Sequence, residues 1–139
     1  MTEATTGRCL CGSVTYRLDT EPFAQALCFC TNCQRQTGTA FSLVIGVARD
    51  AFTVEGDSLS SIDTEGEVHG TTTRRHFCSG CGSPIFSTVD AQPDVVWVKA
   101  GTLDDASWLQ PNVEVFTRSA QPWSPHLANA AQFETMPGA

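Results

Sequence analysis

The sequence predicts a mainly β fold organised around metal-binding cysteines. Three observations carry this. Turn signals are dense and helical periodicity is scarce; short runs rich in β-branched and aromatic residues recur between the turns; and the seven cysteines fall into three closely spaced groups. At 139 residues the chain fits a single domain over 1–139, because dividing a modest apolar content between two cores would leave each marginal.

Taken along the chain, Ser13 to Leu18 alternates as a half-buried strand, with Val14, Tyr16 and Leu18 on one face. Thr31 to Thr37 predicts a short helix, with Thr31 as N-cap and Gly38 as its stop. Ala40 to Val47 reads as a buried strand, and Phe52 to Glu55 as another, closed by Gly56-Asp57. The polar segment from Gly56 to Gly70 predicts hairpins or a mobile loop. Thr72 to Phe77 and Ile85 to Val89 flank a cysteine knuckle and form a hairpin. Val95 to Ala100 alternates strongly, Asp104 to Ser107 reads as a turn, Val113 to Thr117 is the last strand, and Glu134 to Ala139 reads as a frayed tail.

The cysteines carry the chemistry. They form a C-x-C at Cys9-Leu10-Cys11, a C-x-C-x-x-C at Cys28-Phe29-Cys30-Thr31-Asn32-Cys33, and a C-x-x-C at Cys78-Ser79-Gly80-Cys81. Their odd number rules out a purely disulfide framework. The opening Met1 to Thr6 has neither a basic stretch nor an apolar one, so no secretory signal is read there. The expectation is therefore a cytoplasmic protein with reduced thiols and thiolate metal sites. Structural zinc takes four ligands, and a catalytic zinc takes three with one position left for a ligand. Counting ligands favours a closed site on Cys9, Cys11, Cys78 and Cys81 and a three-cysteine site on Cys28, Cys30 and Cys33. Spacing does not forbid other splits, such as Cys9 and Cys11 with Cys30 and Cys33. Iron–sulfur ligation uses the same residue type, but paired knuckles bounded by glycines suit zinc better.

Charge and apolar pattern exclude partners. A formal net charge of −7 with no Lys/Arg cluster argues against nucleic acid and anionic lipid. No apolar run is long enough to span a bilayer. His69, His76 and His126 read as structural or solvated rather than as ligands, with His76 the one placed to hydrogen-bond a metal-binding cysteine.

The segment Gly7-Arg8-Cys9-Leu10-Cys11-Gly12-Ser13-Val14-Thr15-Tyr16 resembles the opening block of the glutathione-dependent formaldehyde-activating enzymes, a family that also includes centromere protein V. Cys28 to Gly38 resembles the second block of that family, and Phe77 to Phe86 the third. Gly101-Thr102-Leu103-Asp104-Asp105 and Trp123 resemble its later landmarks. Many members carry His where this chain has Phe29. The resemblance implies a β-tent-like fold of packed antiparallel sheets and two Zn2+ per chain: a structural zinc on Cys9, Cys11, Cys78 and Cys81, and a second, catalytic one on Cys28, Cys30 and Cys33. It also implies a carbon–sulfur lyase-type activity on a small thiol adduct, namely formation of S-hydroxymethylglutathione from glutathione and formaldehyde. An anionic thiol such as glutathione needs local positive charge in an acidic protein. Arg35, just past Cys33, is the first candidate to bind it, with Arg74 or Arg75 behind it. The rival reading is a non-catalytic zinc module that binds a partner protein.

Overall fold

The computed structural model describes residues 5–68 and 71–137. Eleven strands and one α-helix follow the order β1 Thr5–Arg8, β2 Thr15–Leu18, β3 Ala24–Cys28, α1 Thr31–Thr37, β4 Ser42–Ala48, β5 Phe52–Glu55, β6 Leu59–Glu65, β7 Thr72–Cys78, β8 Pro84–Val89, β9 Gln92–Lys99, β10 Val113–Val115 and β11 Ala131–Gln132. Three single-turn 3-10 segments punctuate them, the second at Ala100–Thr102.

A three-stranded sheet in the order β1-β2-β5 packs on an eight-stranded sheet in the order β11-β10-β3-β4-β9-β8-β7-β6. Most neighbours are antiparallel, but β10 pairs in parallel with both β3 and β11. The alternation read in the second strand is realised: Val14, Tyr16 and Leu18 enter the shared core with Ile45, Val47, Ile85, Val96 and Val98. Aromatic contacts stitch the sheets together, with Phe52 5.6 Å from Tyr16 and 4.7 Å from Phe86. No helix among the described residues is long and apolar enough to cross a membrane.

Several elements depart from the sequence reading. β1 and β3 were not foreseen, because four- and five-residue strands of small and polar residues (TTGR, AQALC) carry little alternation. In the polar segment the hairpin alternative is the one realised: Leu59 to Glu65 is a full strand pairing antiparallel with β7 from Leu59↔Cys78 to Glu65↔Thr72. It is an outer strand of the large sheet, where polar side chains stay solvated. α1 has the predicted span, but its N-cap is Cys30, whose sulfur accepts from the Cys33 amide at 3.2 Å, and not Thr31. The C-terminal segment is docked rather than frayed as far as Met136. Thr135 accepts from the Phe116 amide, and Phe133 and Met136 pack on the second cysteine cluster.

The later landmark has a structural role. Asp104 donates its amide to Thr6 at 2.9 Å, and Gly7 bridges Leu103. Tyr16 Oη donates to Thr102 Oγ1 at 2.7 Å, while Thr102 Oγ1 donates to the Lys99 carbonyl, also at 2.7 Å. Burial pushes the Tyr16 phenol up to about 12, so it stays a donor at any ordinary pH. This turn fixes the end of β9, and with it Lys99.

Candidate metal centres

Two groups of cysteine sulfurs converge, each with every sulfur within 4.8 Å of the others: Cys9, Cys11, Cys78 and Cys81, and separately Cys28, Cys30 and Cys33. The seven cysteines are all unpaired thiols. Each group can hold a metal ion on its sulfurs alone.

The first group is built from two matching turns. In each, the glycine after the second cysteine adopts a left-handed backbone, Gly12 at φ 82° and Gly82 at φ 80°. Each glycine amide returns to the carbonyl of the first cysteine, Gly12 to Cys9 at 3.1 Å and Gly82 to Cys78 at 2.7 Å. That geometry turns both sulfurs of a knuckle to one side. The Cys9–Cys11 and Cys11–Cys78 sulfurs lie 3.6 and 3.8 Å apart. A tetrahedral zinc–thiolate site has an edge of roughly 3.8 Å, from a Zn–S bond of about 2.3 Å. The donor set and its spacing fit zinc.

Three serines support this group and were not foreseen. Ser13 Oγ lies 3.1 Å from Cys11 and 3.4 Å from Cys78, Ser58 Oγ 3.3 Å from Cys78, and Ser83 Oγ 3.2 Å from Cys81. Hydrogen bonds from Ser13 and Ser58 hold the Cys78 thiol down at about 5, and Ser83 holds Cys81 at about 7. Ser13 and Ser83 follow cysteine–glycine pairs, but Ser58 comes from the polar segment, where nothing in the sequence marks it.

The second group is local in sequence but not in surroundings. Cys28 ends β3, Cys30 caps α1 and Cys33 lies on the inner face of that helix. Phe29, fully buried, packs between Phe41 and His126 with ring centroids 5.6 and 5.0 Å away. Residues at and just past the end of β6 hold α1: Glu67 accepts from the Thr31 amide and the Glu65 carbonyl accepts from Asn32 Nδ2 at 2.6 Å.

Two cations stand beside these sulfurs. Arg75 on β7 points Nη1 at Cys33 Sγ, 3.6 Å away, and donates to Gln36 Oε1 and Thr64 Oγ1, both at 3.0 Å. Lys99 at the end of β9 donates to Ser42 Oγ at 2.7 Å, and Ser42 is the register partner of Cys28. The hydrogen bonds of Cys28 and Cys30, followed by the charges of Lys99 and Arg75, draw the Cys33 thiol strongly down. Hydrogen bonds with Cys30 and Cys33, together with burial, raise Cys28 well above its ordinary value. Burial pulls the Lys99 ammonium down, opposed by Cys33. Burial also acts against the Arg75 guanidinium, but Cys33 outweighs it and raises that group.

The remaining candidates fall elsewhere. Arg35 is exposed on α1 and lines an open groove of about 550 Å³ with Thr31, Gln34, Thr39, Gln121 and Trp123. It lies two residues past Cys33, about 200° around the helix, so it faces the groove while Cys33 faces inward. Arg74 pairs with Asp63 on the surface. His76 stacks on Phe86 with centroids 4.0 Å apart, and no hydrogen bond joins it to a cysteine among the described residues. His126 Nδ1 lies 3.0 Å from the buried Glu114 carboxylate. His69 lies outside the described residues.

Comparison with known proteins follows the same blocks. Residues 4–119 match the family described as glutathione-dependent formaldehyde-activating enzyme. A Penicillium rubens protein provisionally given that name is 30% identical over 121 residues, covering 81% of this chain and 60% of its own length. A Halomonas elongata protein with the same provisional name is 29% identical over 102 residues, covering 70% of this chain and 64% of its own. The chain thus spans less than two thirds of these curated relatives. A Rhodobacter sphaeroides protein of known crystal structure superposes with a TM-score of 0.58 at 18% identity, over 76% of this chain and 91% of that one. This last likeness is one of fold alone.

Proposed function

The chain belongs to the glutathione-dependent formaldehyde-activating enzyme family, and on that premise we propose that it is a two-zinc enzyme of carbon–sulfur lyase type acting on glutathione or a similar small thiol and formaldehyde. The observation that supports this most is the unequal pair of clusters. Cys9, Cys11, Cys78 and Cys81 supply a closed set of four ligands, while Cys28, Cys30 and Cys33 supply three among the described residues. A module that only held its fold together would have no use for a three-ligand set.

Zinc on Cys28, Cys30 and Cys33 would favour the deprotonated form of a thiol bound beside it. The reaction itself is an addition. The thiol loses its proton, sulfur bonds to the carbonyl carbon, and the carbonyl π pair moves to oxygen, which takes up a proton; breakdown runs in reverse. The chain's part is placement. Cys30 and Cys33 are buried against Val115 and Phe116, which limits water around the sulfurs. Outside, Arg35 offers a fork of donors for a carboxylate, with Gln121 as a neutral neighbour and Trp123 as an apolar wall.

The test is to follow glutathione and formaldehyde by NMR with zinc-loaded protein. The wild type accelerates equilibration with S-hydroxymethylglutathione over the uncatalysed rate, and Cys30→Ser does not. Identical rates for the two, with the metal content of the first cluster verified, would sink the enzyme and favour the partner-binding module.

A further inference from the structure

Arg75 and Lys99 are 4% and 6% exposed, and both side chains reach into the interior beside the second cluster. A buried cation without a negative partner is costly, several kcal/mol after relaxation. Among the described residues neither forms an ion pair with a carboxylate. Glu114, the one fully buried carboxylate among the described residues, is engaged elsewhere by His126, the Leu127 amide and Gln132. Other contacts to Arg75 and Lys99 come from the neutral groups of Gln36, Thr64 and Ser42. The negative charge that balances these cations is therefore that of the cysteine sulfurs.

Counting charge then says what else the site takes. With a divalent ion, three thiolates leave the site at −1, and the two cations bring the assembly to +1. A neutral fourth ligand leaves that buried surplus standing, and a singly negative one cancels it. We propose that Arg75 and Lys99 are selectivity residues that make the position beside Cys28, Cys30 and Cys33 specific for a singly anionic ligand, a thiolate in the enzyme's reaction, over a neutral one. This rests on reading the three cysteines as a metal site. The cations come from β7 and β9, not from the cysteine loop, so the preference is set by strands that the motif does not contain.

The experiment loads the protein with two equivalents of cobalt(II), the thiolate absorption gained on the second equivalent reporting the second site, and titrates it at about pH 8 with azide, anionic there, and with imidazole, mostly neutral there. The wild type binds azide more tightly than imidazole. Lys99→Met weakens azide tenfold or more and leaves imidazole unchanged or tighter, while Lys99→Arg, which keeps the charge, retains the azide preference. Arg75→Met shifts the same ratio; should it fail to fold, the Lys99 pair of variants decides alone. An azide-to-imidazole ratio that is the same in wild type and Lys99→Met overturns the proposal while leaving the metal site intact. If the second equivalent of cobalt yields no thiolate absorption sensitive to Cys30→Ser, the metal reading falls, and this inference with it.

Discussion

Substituting one cysteine in each cluster separates a metal that holds the fold from one that serves chemistry. Cys78→Ser removes a ligand from a site whose two halves, Cys11 and Cys78, are 67 residues apart. Cys28→Ser removes one from a site whose outermost ligands are 33 − 28 = 5 residues apart. A cross-link stabilises by restricting the unfolded chain, roughly as (3/2)RT ln n. The ratio of the two spans is worth about 2 kcal/mol at 25 °C in favour of the first site, before any difference in metal affinity. For a chain of this size, each kcal/mol moves Tm by roughly 4 °C. Cys78→Ser should thus melt about 8 °C or more below Cys28→Ser. The assay is thermal unfolding by circular dichroism on zinc-loaded protein of measured metal content. If Cys78→Ser proves insoluble, Cys11→Ser breaks the same long closure from an exposed position and replaces it. Equal losses of Tm for the two clusters, or a larger loss for Cys28→Ser, would refute the division of roles.

Further outcomes follow from other parts of the molecule. Protein prepared under reducing, chelator-free conditions should hold two zinc equivalents, measured by elemental analysis; a value near one, or visible iron absorbance, would contradict the assignment. Calorimetric titration with glutathione should give binding that Arg35→Ala weakens by about tenfold, the scale of one charge-assisted pair; unchanged affinity removes Arg35 from the site. Desolvation pushes the buried Glu114 carboxyl up, but hydrogen bonds from Leu127, Gln132 and His126 outweigh it and hold the group below its ordinary value. A depressed folded value means its contribution is complete above the unfolded value of about 4.3 and is lost as pH falls through the folded value. Urea melts should therefore show wild type above Glu114→Gln by about 1–3 kcal/mol at pH 6, with the gap narrowing towards pH 3.5; a constant gap would contradict this. Gly7→Ala should cost about 2 kcal/mol or more, because a Cβ there overlaps the Tyr16 ring and comes within 2.6 Å of the Thr102 carbonyl oxygen; an unchanged Tm would show that the turn yields.

How much of this was legible in the sequence depended on whether the signal was local. Clustered cysteines followed by glycines declare themselves, since a knuckle needs its residues adjacent, and the sulfurs converge in one group of four and one of three. Alternating strands such as β2 and β9 were readable because one face is buried. β3 was not, although it carries Cys28, because its pattern is short and it is paired on both sides by β4 and β10. Lys99 was read only as one residue of an alternating strand. Its burial follows from the strand pairing Val44↔Lys99 and from the Thr102 turn, and neither is visible in one dimension. Arg75 was named only as a source of charge behind Arg35, yet it is the arginine that touches the cluster.

That contrast bears on how far a motif fixes a substrate. The second cluster's ligands come from one loop, where Cys30 both supplies a sulfur and caps the helix that carries Cys33. Bringing the three sulfurs together is thus a local property of that loop. The cations that set the charge of the site arrive on β7 and β9, and the groove residues Gln121 and Trp123 arrive from beyond β10. Ligand charge and ligand shape are therefore decided by segments remote from the loop. Two chains with the same cysteine blocks can differ in every one of these positions and keep the same sulfur cluster. On the proposed reading, the three-cysteine cluster would limit the chemistry to what a three-thiolate site can do, Arg75 and Lys99 would favour an anionic ligand, and the choice among thiols would fall to the walls of the groove.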